Sequence, residues 1–429
     1  MRQTLAQIIG IWALATLAGC TQATAPTNEI EAFLSDGPEG AEFRRQILET
    51  SLVDPDNGYS ALRLRHYGHR DRGWDRLPEF NPEVRWITED DLGTMNPASP
   101  NGLEEFARAF DRASFEPTEE HLVELGREAF ERFPLGVDPL LEELIATEQS
   151  PDRYGVWTDD SGRVGGLLRV RLENTRGQER TYAPTCTTCH ARSDDGTLVP
   201  GASGVDLDRG RAYRAAFVAR GRAPQSVEGF LHWGPGRVDP TPDGMQNPTA
   251  ITDLRPIRHQ RHLNWAASIE NSRLALAVRI DTLFITSYDE QLRPPREIPL
   301  AIAYYLWSLG EPGNPGNALA EPEGAALFDA QCSSCHRADG SVGDSIALEH
   351  IGTEPSVGLS TMRGTGFYRV PTLWGVADRP QLMHDAAVTS LEQMFEPGRL
   401  DSVPGHPFGL GLSDEDRAAL LRFVRSIGR

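Results

Sequence analysis

Apolar residues recur at helical spacing in some stretches of the chain and gather in a strand-length run in another. Over 119–133, Leu122, Leu125, Ala129, Phe130 and Phe133 share one helical face, which predicts an amphipathic helix. Shorter helices are predicted over 139–146 and 322–330. A terminal helix follows Ser413, a plausible N-cap, with Asp414, Glu415 and Asp416 in its first turn and Leu420, Leu421, Val424 and Ile427 as its buried stripe. Between 154 and 182, Val164, Leu167, Val170 and Leu172 predict two strands folded about Asp159-Asp160-Ser161-Gly162, a hairpin that delivers the chain to Cys186. Residues 21–115 show no such pattern and read as a polar, loop-rich extension, with Trp74, Pro78, Phe80 and Pro82 in an extended stretch.

Two features divide the chain. The run Glu311-Pro312-Gly313-Asn314-Pro315-Gly316-Asn317 suits neither helix nor strand and separates two units. At the other end, Arg2 precedes an apolar run over 8–17 that is too short to cross a bilayer, which marks a signal peptide. The expected division is therefore a signal peptide at 1–19, an extension at 20–115, a first domain at 116–311 and a second at 312–429. A faint internal repeat spans the two domains. Asn247-Pro248-Thr249 precedes Leu263-Asn264-Trp265-Ala266-Ala267-Ser268, as Val370-Pro371-Thr372 precedes Met383-His384-Asp385-Ala386-Ala387-Val388.

Composition narrows the function classes. With 429 residues there is room for more than one core, and a net charge of -20 without a basic cluster excludes nucleic acid as a partner. That acidity is read as a solvated surface rather than as steering of a basic redox partner. The five cysteines carry more information. Four stand in two CxxCH motifs, Cys186-Thr187-Thr188-Cys189-His190 and Cys332-Ser333-Ser334-Cys335-His336. Thiols one helical turn apart each form a thioether with a porphyrin vinyl group while the next histidine points at the iron. A structural zinc site is the competing reading, but two separate copies in an exported chain favour two covalently bound haem c groups, with His190 and His336 as iron ligands. The fold class expected is mainly α: two cytochrome c-like haem domains in tandem, with a β-hairpin insertion before the first haem motif and a loop-rich N-terminal extension.

Two resemblances add to this reading. Leu17-Ala18-Gly19-Cys20 resembles the lipobox at which bacterial lipoproteins are cleaved and diacylated, and Thr21 in place of aspartate implies the periplasmic face of the outer membrane, with Cys20 lipidated. Gly126-Arg127-Glu128-Ala129-Phe130, both CxxCH motifs, Asn247-Pro248-Thr249 with Trp265, and Tyr368-Arg369-Val370-Pro371-Thr372-Leu373 leading to Met383-His384-Asp385 resemble bacterial diheme cytochrome c peroxidases and their methylamine-utilisation and rubber-oxygenase relatives. The likeness covers roughly 119–429. It implies His232 as the sixth ligand of the first haem and His406 as that of the second, with Met362, Met383 and Met394 as alternatives. Trp265 and His384 fall where the family places groups between its haems, although alanines replace the glycines of both turns. The glutamine- and glutamate-bearing stretch of true peroxidases is not recognisable over 270–296, which leaves Glu270 as the available acid and base, and Tyr288 as a possible ligand or relay. Three functions follow: electron transfer with a periplasmic redox partner protein, peroxide reduction, and a haem-based sensor or assembly partner that docks through 21–115.

Overall fold

The computed structural model describes residues 27–94, 102–106, 115–136, 138, 140–174, 177–241, 243–310 and 315–428. The signal peptide, Cys20 and residues 311–314 of the proposed linker lie outside them.

Helix Glu119–Arg132 begins where the Thr118 side chain accepts the His121 amide, and it buries Leu122, Leu125, Gly126, Ala129 and Phe130. That stripe lies on helix Glu297–Leu309, whose residues from Glu297 to Leu306 are all buried. Gly126 sets the distance of closest approach. A β-carbon there would meet the Ala301 carbonyl oxygen at 2.0 Å and Tyr305 Cβ at 2.7 Å. One turn on, the Phe130 and Tyr305 rings meet at 5.6 Å and 56°.

The same crossing is built again from different residues. Helix Pro322–Gln331 packs on helix Asp414–Arg425, which Ser413 caps through the Asp416 amide. A β-carbon on Gly324 would meet the Ala419 oxygen at 2.3 Å and Phe423 Cβ at 2.7 Å. Phe328 and Phe423 meet at 5.3 Å and 57°. Leu420, Leu421, Val424 and Ile427 are all buried, as their periodicity predicts.

A loop repetition accompanies the helices. Leu263 pairs with Ile269, and Leu382 with Val388, each member of the second pair 119 positions after its counterpart, as 263 to 382. The same step relates the 3-10 turns Ile257–His259 and Val376–Asp378. It also relates the left-handed residues Asn264 (φ 62°) and Met383 (φ 70°), and Ala267 (φ 49°) and Ala386 (φ 57°). This register places Thr252 opposite Pro371. It replaces the pairing of Asn247-Pro248-Thr249 with Val370-Pro371-Thr372, which no constant step accommodates.

The fold is mixed rather than mainly α. Strands Glu104–Glu105, Glu83–Thr88, Arg163–Asn174 and Gly177–Pro184 form, in that order, one antiparallel sheet. The hairpin closes where Asn174 faces Gly177. Asp159-Asp160-Ser161-Gly162 forms only the turn that enters the first long strand, because the Asp159 carboxylate accepts the Ser161 and Arg163 amides at 3.0 Å. Strand Glu83–Thr88 joins the hairpin edge, so the hairpin is no isolated insertion.

Nor is the amino-terminal extension loop-rich. It contains helices Thr27–Leu34, Pro38–Ser51 and Gly58–His66. Phe33, Leu48, Tyr67 and Trp74 enter one core with Phe130, Phe284 and Tyr305. Short helices with much of their inner face made of glycine, alanine, serine and arginine leave a weak apolar period, and a buried ion network supplies the rest. Arg296 donates to Asp281 at 3.2 Å and to Asp75 at 2.7 Å, Arg44 reaches Asp75 at 3.2 Å, and the Tyr67 hydroxyl donates to Asp281 at 2.9 Å. The extension also touches the last unit, where the Gly58 and Tyr59 amides donate to the Thr361 and Met362 carbonyls at 2.9 Å.

Candidate haem-binding site

The second CxxCH motif leaves the end of helix Pro322–Gln331 as a tight turn. The His336 and Cys335 amides donate to the Cys332 carbonyl at 2.8 and 3.1 Å, which turns both half-buried thiols and the imidazole to one side. They face a cavity of about 1260 Å³, counting the part open to solvent, with Phe328, Tyr368, Leu391 and Met394 among its walls. His406 stands in the same cavity. Its ring centroid is 6.4 Å from that of His336, at 52° between planes. An iron bonded to one nitrogen of each ring at about 2 Å spans that separation. Burial pushes His336 down to about 3 and His406 down to about 4, so both are held as the neutral imidazole that ligates metals.

The cavity suits a porphyrin in a second respect. Arg369 lines it, is buried and is paired with no carboxylate among the described residues, and its Nε has no hydrogen-bond partner. Burial pushes its pKa down to about 9. Thr353 Oγ1 in the same wall is likewise unpartnered. The carboxylate edge of a porphyrin meets both needs.

The first motif is held by the hairpin. Cys186–Thr188 forms a 3-10 turn, the Thr185 amide donates to the Gly166 carbonyl at 3.0 Å, and the Trp157 indole donates to the Thr187 carbonyl at 2.9 Å. Gly166 is obligatory there. Its φ is +64°, and a β-carbon would meet Thr187 Oγ1 at 2.3 Å. Burial pushes the Cys186 thiol up to about 12, raises Cys189 and lowers His190. His190 Nδ1 lies 2.9 Å from the Thr252 carbonyl, which assigns the proton to Nδ1 and frees Nε2 for iron. Thr252 is the residue that the repeat sets opposite Pro371, whose carbonyl faces His336.

The structure brings together Cys332, Cys335, His336 and His406. His232 ends the 3-10 turn Pro224–His232 with its side chain exposed. Its neighbour Trp233 takes the buried side, hydrogen-bonded to Gln246 at 2.8 Å and edge-on to Tyr213. Of the methionines, Met394 and Met383 line the cavity wall and Met362 packs on Gly58. Trp265 reaches across from the first unit into this cavity, its indole donating to the Ala250 carbonyl at 3.0 Å. His384 lines that cavity as well, stacked on Tyr368 at 4.4 Å with Nε2 3.3 Å from the Tyr368 hydroxyl and 3.8 Å from Glu354. Glu270 is exposed on a short strand, and the Tyr288 hydroxyl donates to the Pro134 carbonyl at 2.9 Å, a packed tyrosine rather than a ligand. Among the described residues no three His, Cys, Asp or Glu side chains gather as a metal-holding group.

Residues 322–428 match the family model of cytochrome c. This segment is a cytochrome c domain. The match begins at the helix bearing Gly324 and ends with the helix that crosses it, so it takes in every residue lining the cavity except Trp265. A cytochrome c domain implies covalently bound haem c, which would supply an iron that gains and loses one electron, and it supports a role in electron transfer. No curated protein matches the chain in sequence.

Arg369 in the cavity wall and the Thr252 carbonyl at His190 are features of the sites that sequence reasoning missed. A buried arginine looks like a surface one in a sequence, and a carbonyl acceptor carries no side-chain signature at all.

Proposed function

We propose that the chain is a diheme c-type cytochrome that passes single electrons between redox partner proteins, with its second haem held by Cys332 and Cys335 between His336 and His406. The observation that carries the reading is the duplicated crossing, Gly126 and Phe130 on Tyr305 and Gly324 and Phe328 on Phe423, the second running straight into its CxxCH and the first packed beside the turn Cys186–Thr188. A repeated scaffold around a repeated attachment motif supports a haem at Cys186, Cys189 and His190 as well.

Haem stoichiometry tests it. Protein made in a host with the thioether-forming machinery carries two haems per chain, and Cys186→Ala with Cys189→Ala carries one. A wild-type ratio of one would reduce the protein to a single-haem cytochrome. His232 remains the proposed sixth ligand of an iron on His190. An unchanged spectrum for His232→Ala removes it as a ligand.

The peroxidase-like reading draws on one observation, the Tyr368, His384 and Glu354 group beside the cavity, which can pass a proton from solvent to the buried wall. Peroxide-dependent oxidation of a reduced donor, abolished by His384→Ala, supports it; no turnover leaves electron transfer. The periplasmic outer-membrane location rests on Leu17-Ala18-Gly19-Cys20 alone, and Cys20→Ser tests it by releasing the protein from the membrane fraction.

A further inference from the structure

We infer that Arg399 is the positioning residue that keeps His406 at the sixth coordination position of the haem in the 322–428 domain. The inference rests on the reading that His336 and His406 share that iron. His406 sits on a loop with no regular element nearer than the turn Pro397–Asp401, and its backbone is left-handed, with φ of 48° after Gly405 at 86°. A residue with a β-carbon adopts that conformation only when its surroundings impose it.

Arg399 supplies the constraint. It is 3% exposed, and no carboxylate pairs with it among the described residues. Its guanidinium is spent on backbone carbonyls instead: Met394 at 3.0 Å, Val403 at 2.9 Å, Gly405 at 2.9 Å and His406 at 2.8 Å. One rigid fork therefore ties the start of the loop to the ligand's own peptide. Gly405 is pressed on Thr353 so closely that a β-carbon would meet its amide nitrogen at 2.4 Å, and the His406 amide donates to the Ile351 carbonyl at 2.7 Å. With the loop pinned from both sides, the imidazole lies facing His336, the ring centroids 6.4 Å apart.

The test compares Arg399→Met, Arg399→Lys and His406→Ala in the haem-loaded protein, using the oxidised optical and spin-resonance spectra and cyanide titration. His406→Ala is expected to turn the second haem high-spin. Arg399→Met is expected to give a high-spin fraction at the same haem, cyanide binding tighter on the order of tenfold, and recovery of the low-spin signal on adding imidazole. Arg399→Lys, which keeps the charge but lacks the fork, falls between Met and wild type. Wild-type spectra and cyanide affinity in both Arg399 variants, with His406→Ala high-spin, overturn the inference and leave the shared iron standing. An unchanged spectrum in His406→Ala overturns the shared iron itself. Should Arg399→Met fail to accumulate, Arg399→Lys decides on the same two readouts.

Discussion

The His336 and His406 rings face each other across the cytochrome c cavity with centroids 6.4 Å apart, and burial holds both uncharged. Two imidazoles sharing an iron in that arrangement would set a low reduction potential, since a His/His iron sits below a His/Met iron. Replacing His406 with methionine is therefore expected to keep the second haem low-spin and to raise its midpoint by a fraction of the roughly 0.8 V that axial ligands span. A redox titration followed optically reads the shift. An unmoved midpoint would mean that another side chain holds the iron.

The same pair gives the protein without a haem at Cys332 and Cys335 a pH dependence. Folded pKa values of about 3 for His336 and about 4 for His406 lie below the ordinary 6.5, so the unfolded chain binds more protons in between. Their stabilising contribution is full above pH 6.5. It is lost as pH falls toward about 4 for His406 and about 3 for His336. Thermal midpoints of the Cys332→Ser, Cys335→Ser protein should drop between about pH 7 and pH 4, and less steeply once His406 is also glutamine. Parallel curves would show that other groups carry the acid sensitivity.

What was legible in the sequence follows from what leaves a local mark. The helices over 119–133 and 413–427 declare themselves by apolar period and caps, and CxxCH declares its chemistry by spacing. His406 was reachable through resemblance, and the structure brings it to His336. His232 was proposed by the same route, and it stands exposed at the end of the turn Pro224–His232. The amino-terminal helices stayed hidden because their docking depends on Arg44, Asp75 and Tyr67 meeting Asp281 and Arg296, more than two hundred positions away, and such pairing has no local period.

Gly126 and Gly324 are predicted to be the least replaceable residues of the two crossings. A methyl group at either would meet a carbonyl oxygen, at 2.0 Å for Gly126 and 2.3 Å for Gly324, so the helices must part. Overpacking of this kind costs about 1–3 kcal/mol or more. Gly324→Ala should lower stability toward denaturant without altering Gly126-dependent packing. Equal stability would show that the crossing relaxes freely.

Asp281 lies wholly inside the first core, where burial raises its pKa and the Arg296 guanidinium opposes that rise. Asp281→Ala leaves Arg296 and the Tyr67 hydroxyl without their shared acceptor, at a cost of about 3–5 kcal/mol. Because Tyr67 belongs to the extension, the expected consequence is loosening there first. Limited proteolysis should cut within 27–76 in the variant while the cytochrome c domain survives. Simultaneous loss of both regions would show that the extension and the rest unfold as one.

Arg369 joins the two attachment sites. Its guanidinium lies over the Trp265 ring at 4.5 Å and reaches Thr252 Oγ1 at 3.4 Å, while the Thr252 carbonyl takes the Nδ1 proton of His190. Its own amide donates to the Trp265 carbonyl at 3.0 Å. A buried cation beside an iron favours the reduced form, which carries one positive charge fewer. Arg369→Leu is thus expected to lower the midpoint of the second haem by about 60 mV, the one-electron equivalent of a tenfold change, and to slow exchange between the haems. Arg369→Lys should restore the midpoint more fully than the exchange rate, since an ammonium keeps the charge and loses the planar contact with Trp265. Flash reduction of one haem, followed at wavelengths that separate the two, measures the second quantity. Identical behaviour of the Leu and Lys variants would assign Arg369 to packing alone.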